Sequence, residues 1–117
     1  MKKRKILIVD DEKEIRDVSQ SLLERAGYQV DVCENAEEAL KLLDKAADYQ
    51  LVLTDFDMPG INGLELIREI EKKYPRCKTL LMSGTPFGNN IDTIHYLLKP
   101  FNFVELVSMI EEQLSSP

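Results

Sequence analysis

Residues 51–66 read LVLTDFDMPGINGLEL. Leu51–Thr54 is a short, continuous run of apolar and β-branched residues, the composition of a strand buried on both faces. Two carboxylates, Asp55 and Asp57, follow it at once. Pro59-Gly60 then makes a turn. Asn62, with Glu65 three residues on, has the pattern of a capping box. The helix it opens carries Leu64, Leu66, Ile67 and Ile70, and Pro75 stops it. A buried strand passing through an acidic turn into an amphipathic helix is the repeating half of a βαβ unit.

The same unit recurs on either side. Lys5–Val9 (KILIV) is a second buried run, and Asp10-Asp11 ends it. Ile15, Val18, Leu22, Leu23 and Ala26 then repeat at helical spacing, with Gly27 as the C′ residue. Tyr28, Val30 and Val32 alternate with Gln29 and Asp31, a strand pattern. Asn35 and Glu38 cap a helix that buries Ala39, Leu40, Leu43 and Ala47. Downstream of the opening stretch, Thr79–Met82 and Ile94–Leu98 read as strands. Asn102 and Glu105 cap a last helix through Leu106, Met109, Ile110 and Leu114. Strands alternating with helices of about a dozen residues imply a parallel sheet covered on both faces, with right-handed crossovers. The expectation is one doubly wound α/β domain with five parallel strands, spanning residues 1–117. Between Ser83 and Ile94 the alternation fails. GTPFGNNIDT has no helical apolar stripe, so the fourth helix expected there is short or absent.

Bulk composition removes several function classes. The 117 residues carry a net charge of −6, which opposes phosphate neutralisation and so nucleic-acid binding by this domain. No apolar run approaches the roughly 20 residues of a membrane helix. The basic start MKKRK leads into a run too short for a signal peptide, so it reads as a solvated end of a cytoplasmic protein. Cys33, Cys77 and His95 are too few for a structural zinc site, which leaves two free thiols and a structural or surface histidine.

In an open parallel sheet, ligands bind beyond the carboxyl ends of the strands. Asp10 and Asp11 finish the first strand, Asp55 the third, Ser83 the fourth and Lys99 the fifth, and Asp57 lies just past the third. Carboxylates forced together repel unless a cation joins them. An oxygen-rich site with few protein carboxylates suits Mg²⁺, which shares its coordination readily with a phosphate. A carboxylate beside such a cation can attack phosphorus and become an aspartyl phosphate. Lys99 would offset charge on the transferring group, and Ser83 offers it a hydroxyl.

The motifs IVDDE, LVLTDFDMPGINGLEL, LLMSG and YLLKPF, in this order over nearly the whole chain, resemble the receiver domains of two-component response regulators. The resemblance implies a flavodoxin-like strand order, 2-1-3-4-5. It implies that Asp55 is the phosphoacceptor and that Asp11 binds Mg²⁺ directly, with Asp10 acting largely through water. The backbone carbonyl of Asp57 would be a further metal ligand. Ser83 and Lys99 would contact the phosphoryl group, the Lys99–Pro100 bond would be cis, and Tyr96 would be the aromatic switch that follows Ser83. The implied phosphodonor is a histidine kinase or a phosphotransfer protein, and an output domain or partner protein would read the altered surface. Beyond self-phosphorylation and autodephosphorylation, no enzyme activity is implied.

Plainer readings stand beside these. Asp11 also suits a cap for the following helix, Asp57 an incidental loop side chain, and Tyr96 a packed aromatic. The segment from Ser83 to Lys99 is shorter than is usual in the family. It bears on the output face that the fourth helix, fifth strand and fifth helix form in typical receivers, and leaves the phosphorylation chemistry intact. Gly84 keeps access to the site open. Two further functions compete: a pseudo-receiver that docks partners without phosphorylation, and a phosphatase of the haloacid-dehalogenase type. The second is disfavoured because the Asp-x-Asp loop follows the third strand and carries no hydroxyl residue after its second aspartate.

Overall fold

A computed structural model describes residues 3–46, 48–84 and 94–115. The readings of Ala47 as a core residue and of a short or absent helix after Ser83 fall on residues outside these ranges. In chain order the elements are β1 (Lys5–Val9), α1 (Lys13–Arg25), β2 (Gln29–Cys33), α2 (Ala36–Lys45) and β3 (Leu51–Asp55). Then come α3 (Gly63–Lys73), β4 (Lys78–Ser83), β5 (Tyr96–Leu98) and α4 (Phe103–Ser115). All strand pairings are parallel and the sheet order is β2-β1-β3-β4-β5.

Alternation along the central strands sends side chains to two cores. Ile6, Ile8, Leu51, Leu53, Leu80 and Met82 pack with Leu23 of α1 and with Leu106 and Ile110 of α4. Leu7, Val9 and Val52 pack with Ala39 and Leu43 of α2 and Leu66 and Ile70 of α3 on the other face. Strands buried on both sides must be apolar throughout, which is why KILIV and LVLTD lack the alternation of β2, an edge strand.

Local signals set the boundaries. Gly27 adopts φ +102°, a conformation that glycine alone takes without strain. Its N–H bonds the Glu24 carbonyl at 3.1 Å, and the Tyr28 N–H bonds that of Leu23 at 3.1 Å, a Schellman ending. The Tyr28 amide is therefore spent on α1, and β2 begins one residue later than the alternation suggests. Asn35, Asn62 and Asn102 each accept from the amide three residues on, at 2.8, 2.9 and 2.8 Å. At α3 the capping box is complete, because Glu65 returns a bond from the Asn62 amide at 3.1 Å.

The fifth strand also departs from its expected bounds. The fifth strand is Tyr96–Leu98 rather than Ile94–Leu98, because its ladder with β4 begins at the Leu81–Tyr96 pair. Ile94 is buried instead against Ile67 and Leu81. Along the apolar repeat of α1, Leu23 is fully buried, while Ile15 and Val18 are 37% and 58% exposed. Both thiols are free, and burial pushes each up to about 12, which leaves them inert at neutral pH. Among the described residues no helix is long and apolar enough to cross a membrane.

Candidate functional site

The carboxyl ends of β1, β3, β4 and β5 converge on one edge of the sheet. Asp10 is fully buried there, Asp55 is 4% exposed, and Asp11 is exposed at the rim. One carboxylate oxygen from each of Asp10, Asp11 and Asp55 lies within 4.8 Å of the other two. Asp10 Oδ1 accepts the Glu12 amide at 2.9 Å. Its Oδ2 is buried and has no hydrogen-bond partner among the described residues. A buried acceptor left without a donor costs about 1–3 kcal/mol. Asp11 does not cap α1, whose N-cap is Glu12 with no side-chain capping bond, so the cap reading of Asp11 fails.

Lys99 Nζ donates to Asp55 Oδ1 at 2.9 Å. Its main-chain N–H is held by the Ser83 carbonyl at 2.7 Å, and the Lys99–Pro100 peptide is cis. Ser83 is fully buried, one residue beyond the Met82 that pairs with Asp55. Tyr96 is half-buried and packs on the small cluster of Ile67, Leu81 and Ile94. Asp57 is exposed, and its carboxylate is not in the close triad. With Asp11, Met58, Gly60 and Asn62 it lines an open hollow of about 510 Å³ beside the carboxylates. A groove of about 610 Å³ opens at the opposite end of the sheet, lined by Tyr49, Tyr74 and Cys77 among others, away from these groups.

Burial pushes the Asp10 and Asp55 carboxyls above their ordinary value. At Asp10 the Glu12 amide pulls the other way, while the charges of Asp55 and Asp11 add to the rise. At Asp55 the Lys99 hydrogen bond and charge oppose burial, and Asp57 and Asp11 reinforce it. Burial by itself would lower the Lys99 ammonium, but the bond to Asp55 and the charges of Asp55, Asp10 and Glu12 outweigh it, and the net shift is upward. Among the described residues Lys99 is the cation bonded to a carboxylate of this triad, which leaves the cluster short of positive charge. The residues present therefore fit a hard divalent cation: all donors are oxygen, one is buried and unpartnered, and the rim is open.

Two contributors escaped sequence reasoning. A Cβ on Gly63 would lie 2.2 Å from the Asp55 carbonyl oxygen and 2.9 Å from Leu81 Cδ1, so glycine lets α3 seat directly on the end of β3. A glycine at the first position of a helix, where alanine is the better helix former, was the available signal. Arg16 Nη1 donates to the Asp10 main-chain carbonyl at 2.7 Å, a contact that no spacing rule reveals.

Residues 6–111 match the family model of the response regulator receiver domain. The chain is 37% identical over 116 residues to the transcriptional regulatory protein ResD of Bacillus subtilis, covering 94% of this chain and 48% of ResD. It is 36% identical over 114 residues to CpxR of Escherichia coli K12, covering 91% of this chain and 47% of CpxR. The chain thus spans about half the length of these curated relatives. Among solved structures it resembles the response regulator TrrA of Thermotoga maritima in complex with Mg(2+)-BeF, at 37% identity and TM-score 0.82, covering 94% and 98% of the two chains. It also resembles the complex of the histidine kinase ThkA with TrrA, at 38% identity and TM-score 0.85, covering 97% and 99%. On the match across residues 6–111, on these relatives and on the 2-1-3-4-5 sheet, the chain belongs to the response-regulator receiver family.

Proposed function

We propose that Asp55 accepts a phosphoryl group in a Mg²⁺-dependent reaction and that the phosphorylated domain presents a changed surface to a partner. The observation that carries this reading is the buried, unpartnered Asp10 Oδ2 within 4.8 Å of Asp11 and Asp55 oxygens, beside the Lys99–Asp55 bond. Asp10, Asp11 and Asp55 would hold the cation, with the main-chain carbonyl of Asp57. Bound there, Mg²⁺ would neutralise charge on the transferring phosphoryl oxygens.

The transfer itself is a displacement. A carboxylate oxygen of Asp55 attacks phosphorus, the bond from phosphorus to the donor's imidazole nitrogen breaks, and the imidazole keeps the electron pair. Lys99 moves from the carboxylate to the incoming phosphoryl oxygens, where its ammonium offsets their charge. The Ser83 hydroxyl donates to the same group, and Tyr96 follows Ser83. Hydrolysis ends the state: water attacks phosphorus, the bond from phosphorus to the Asp55 oxygen breaks, and inorganic phosphate leaves as the carboxylate is restored. The domain thus turns over its own phosphoryl group and no separate substrate.

The donor is a histidine kinase or phosphotransfer protein. Ile15, Val18, Leu22, Phe101 and Phe103 line a largely apolar groove of about 380 Å³ that runs up to Lys99. A donor seated there would hold its phosphohistidine over Asp55. That the donor is a histidine kinase is supported by the likeness to TrrA, which was solved in complex with the histidine kinase ThkA. The net charge of −6 supports a protein partner over nucleic acid.

Intact-mass measurement after incubation with acetyl phosphate tests the proposal. A single phosphoryl adduct that requires Mg²⁺ and disappears in Asp55→Asn is the expected result. No adduct under any condition would leave a domain that docks without phosphorylation.

A further inference from the structure

We infer that Arg16 is a positioning residue for the acidic pair: its guanidinium, by clamping the Asp10 carbonyl, sets the affinity of the site for its divalent cation. The inference rests on the metal-binding reading above.

That carbonyl belongs to the peptide joining Asp10 to Asp11. Holding it restrains the plane of that peptide, and so ψ of Asp10 and φ of Asp11, which set how the Asp11 carboxylate is placed relative to that of Asp10. The turn needs such a clamp. Asp10, Asp11 and Glu12 are consecutive acids, and Glu12 opens α1 without a side-chain capping bond. The other described bonds here are Asp10 N–H to the Cys33 carbonyl at 3.1 Å, Glu12 N–H to Asp10 Oδ1 at 2.9 Å and Arg16 N–H to the Glu12 carbonyl at 3.0 Å. None of them engages the Asp10 carbonyl, and the 2.7 Å bond from Arg16 does.

The choice of acceptor matters as much as the bond. A cation one helical turn from three acids would ordinarily pair with a carboxylate and compete with a metal for it. Arg16 is half-buried and spends Nη1 on a neutral main-chain oxygen, and Asp10 Oδ2 stays unpartnered among the described residues. The turn is thus held by a permanent positive charge without consuming the oxygens a divalent cation needs.

The test is calorimetric titration of the metal-free chain with Mg²⁺, comparing wild type, Arg16→Met, Arg16→Lys and Leu114→Ala. Leu114 lies on α4 at the far end of the sheet and controls for general destabilisation. Arg16→Met is expected to weaken Mg²⁺ binding about ten-fold or more, the usual cost of losing an outer-shell partner. Arg16→Lys, which keeps a charged donor, should recover Kd to within about three-fold of wild type. Leu114→Ala should bind Mg²⁺ as wild type does. A wild-type Kd for Arg16→Met, or equal weakening by Leu114→Ala, overturns the inference and leaves the metal site standing. A wild-type chain that binds no Mg²⁺ overturns the site reading and the inference together.

Discussion

Asp10 gives one carboxylate oxygen to the Glu12 amide and leaves the other buried with no donor among the described residues. Without a cation that oxygen is a cost to the fold. Asp10→Asn replaces it with an amide group that can donate to the neighbouring carboxylates, while the remaining oxygen keeps the Glu12 bond. The metal-free variant is therefore expected to be more stable than wild type by about 1 kcal/mol, a Tm rise of roughly 4 °C. Added Mg²⁺ should raise the Tm of wild type and leave that of the variant nearly unchanged. Thermal unfolding followed by circular dichroism, with and without EDTA, reads both. The acidic residues and Lys99 were legible in the sequence because each sits at the end of an apolar run, where the strand-end rule places chemistry. Arg16 was not, because its contact depends on a side chain folding back from the first turn of α1 to a carbonyl six residues earlier.

At the scale of elements, α3 and α1 play different parts. The first turn of α3 rests on the backbone of Asp55 with no room for a Cβ. Gly63→Ala gains about 1 kcal/mol of helix propensity yet forces a 2.2 Å contact with a main-chain oxygen, which only movement of the helix or of the strand end relieves. We predict a net loss of about 2 kcal/mol in urea unfolding, and weaker Mg²⁺ binding, since the strand end that shifts carries Asp55. Helix α1 illustrates the limit of periodicity. Its apolar repeat identified a helix, as did the capping pairs Asn62–Glu65 and Asn35–Glu38, but spacing cannot tell which turns of a stripe find the sheet beneath them. The turns that carry Ile15 and Val18 overhang the groove beside Lys99, so part of the stripe faces outward. Val18→Asp is accordingly expected to leave Tm and acetyl phosphate labelling unchanged while slowing phosphotransfer from a histidine-bearing donor about ten-fold or more. Stopped transfer assays with a phosphorylated donor protein, run beside small-donor labelling, separate the two effects.

For the whole molecule, the cluster links stability to pH and, on the proposed function, to metal. Asp10 and Asp55 hold their protons more tightly in the folded chain than in the unfolded one, where the ordinary value is 3.8. As pH falls from neutral the folded state takes up protons first, so the metal-free chain gains stability through the raised values, and the gain is complete near the unfolded value. Lys99 acts at the other end. Its folded value is raised, so its contribution is fully present below the ordinary 10.5 and is lost as pH rises through the folded value. In EDTA, Tm should be higher at about pH 5 than at about pH 7.5, and Mg²⁺ should remove most of that difference by stabilising the ionised carboxylates. A Tm that falls between those two pH values by the same amount with and without Mg²⁺ would show that the cluster is not what couples the fold to protons. The parallel sheet and its two cores were readable from alternating strands and helices because strands buried on both faces are apolar throughout. Strand ends were less so, since a parallel ladder stops where its neighbour does, as β5 starts only where Tyr96 meets Leu81.

The most direct test of phosphoryl transfer to Asp55 is chemical trapping of the product. The chain is incubated with acetyl phosphate and Mg²⁺, reduced with borohydride, digested and sequenced by mass spectrometry. An aspartyl phosphate is reduced to homoserine, so homoserine is expected at position 55 alone, and none when Mg²⁺ is withheld. Homoserine at Asp10, Asp11 or Asp57, or unmodified aspartate at all four positions, would contradict it.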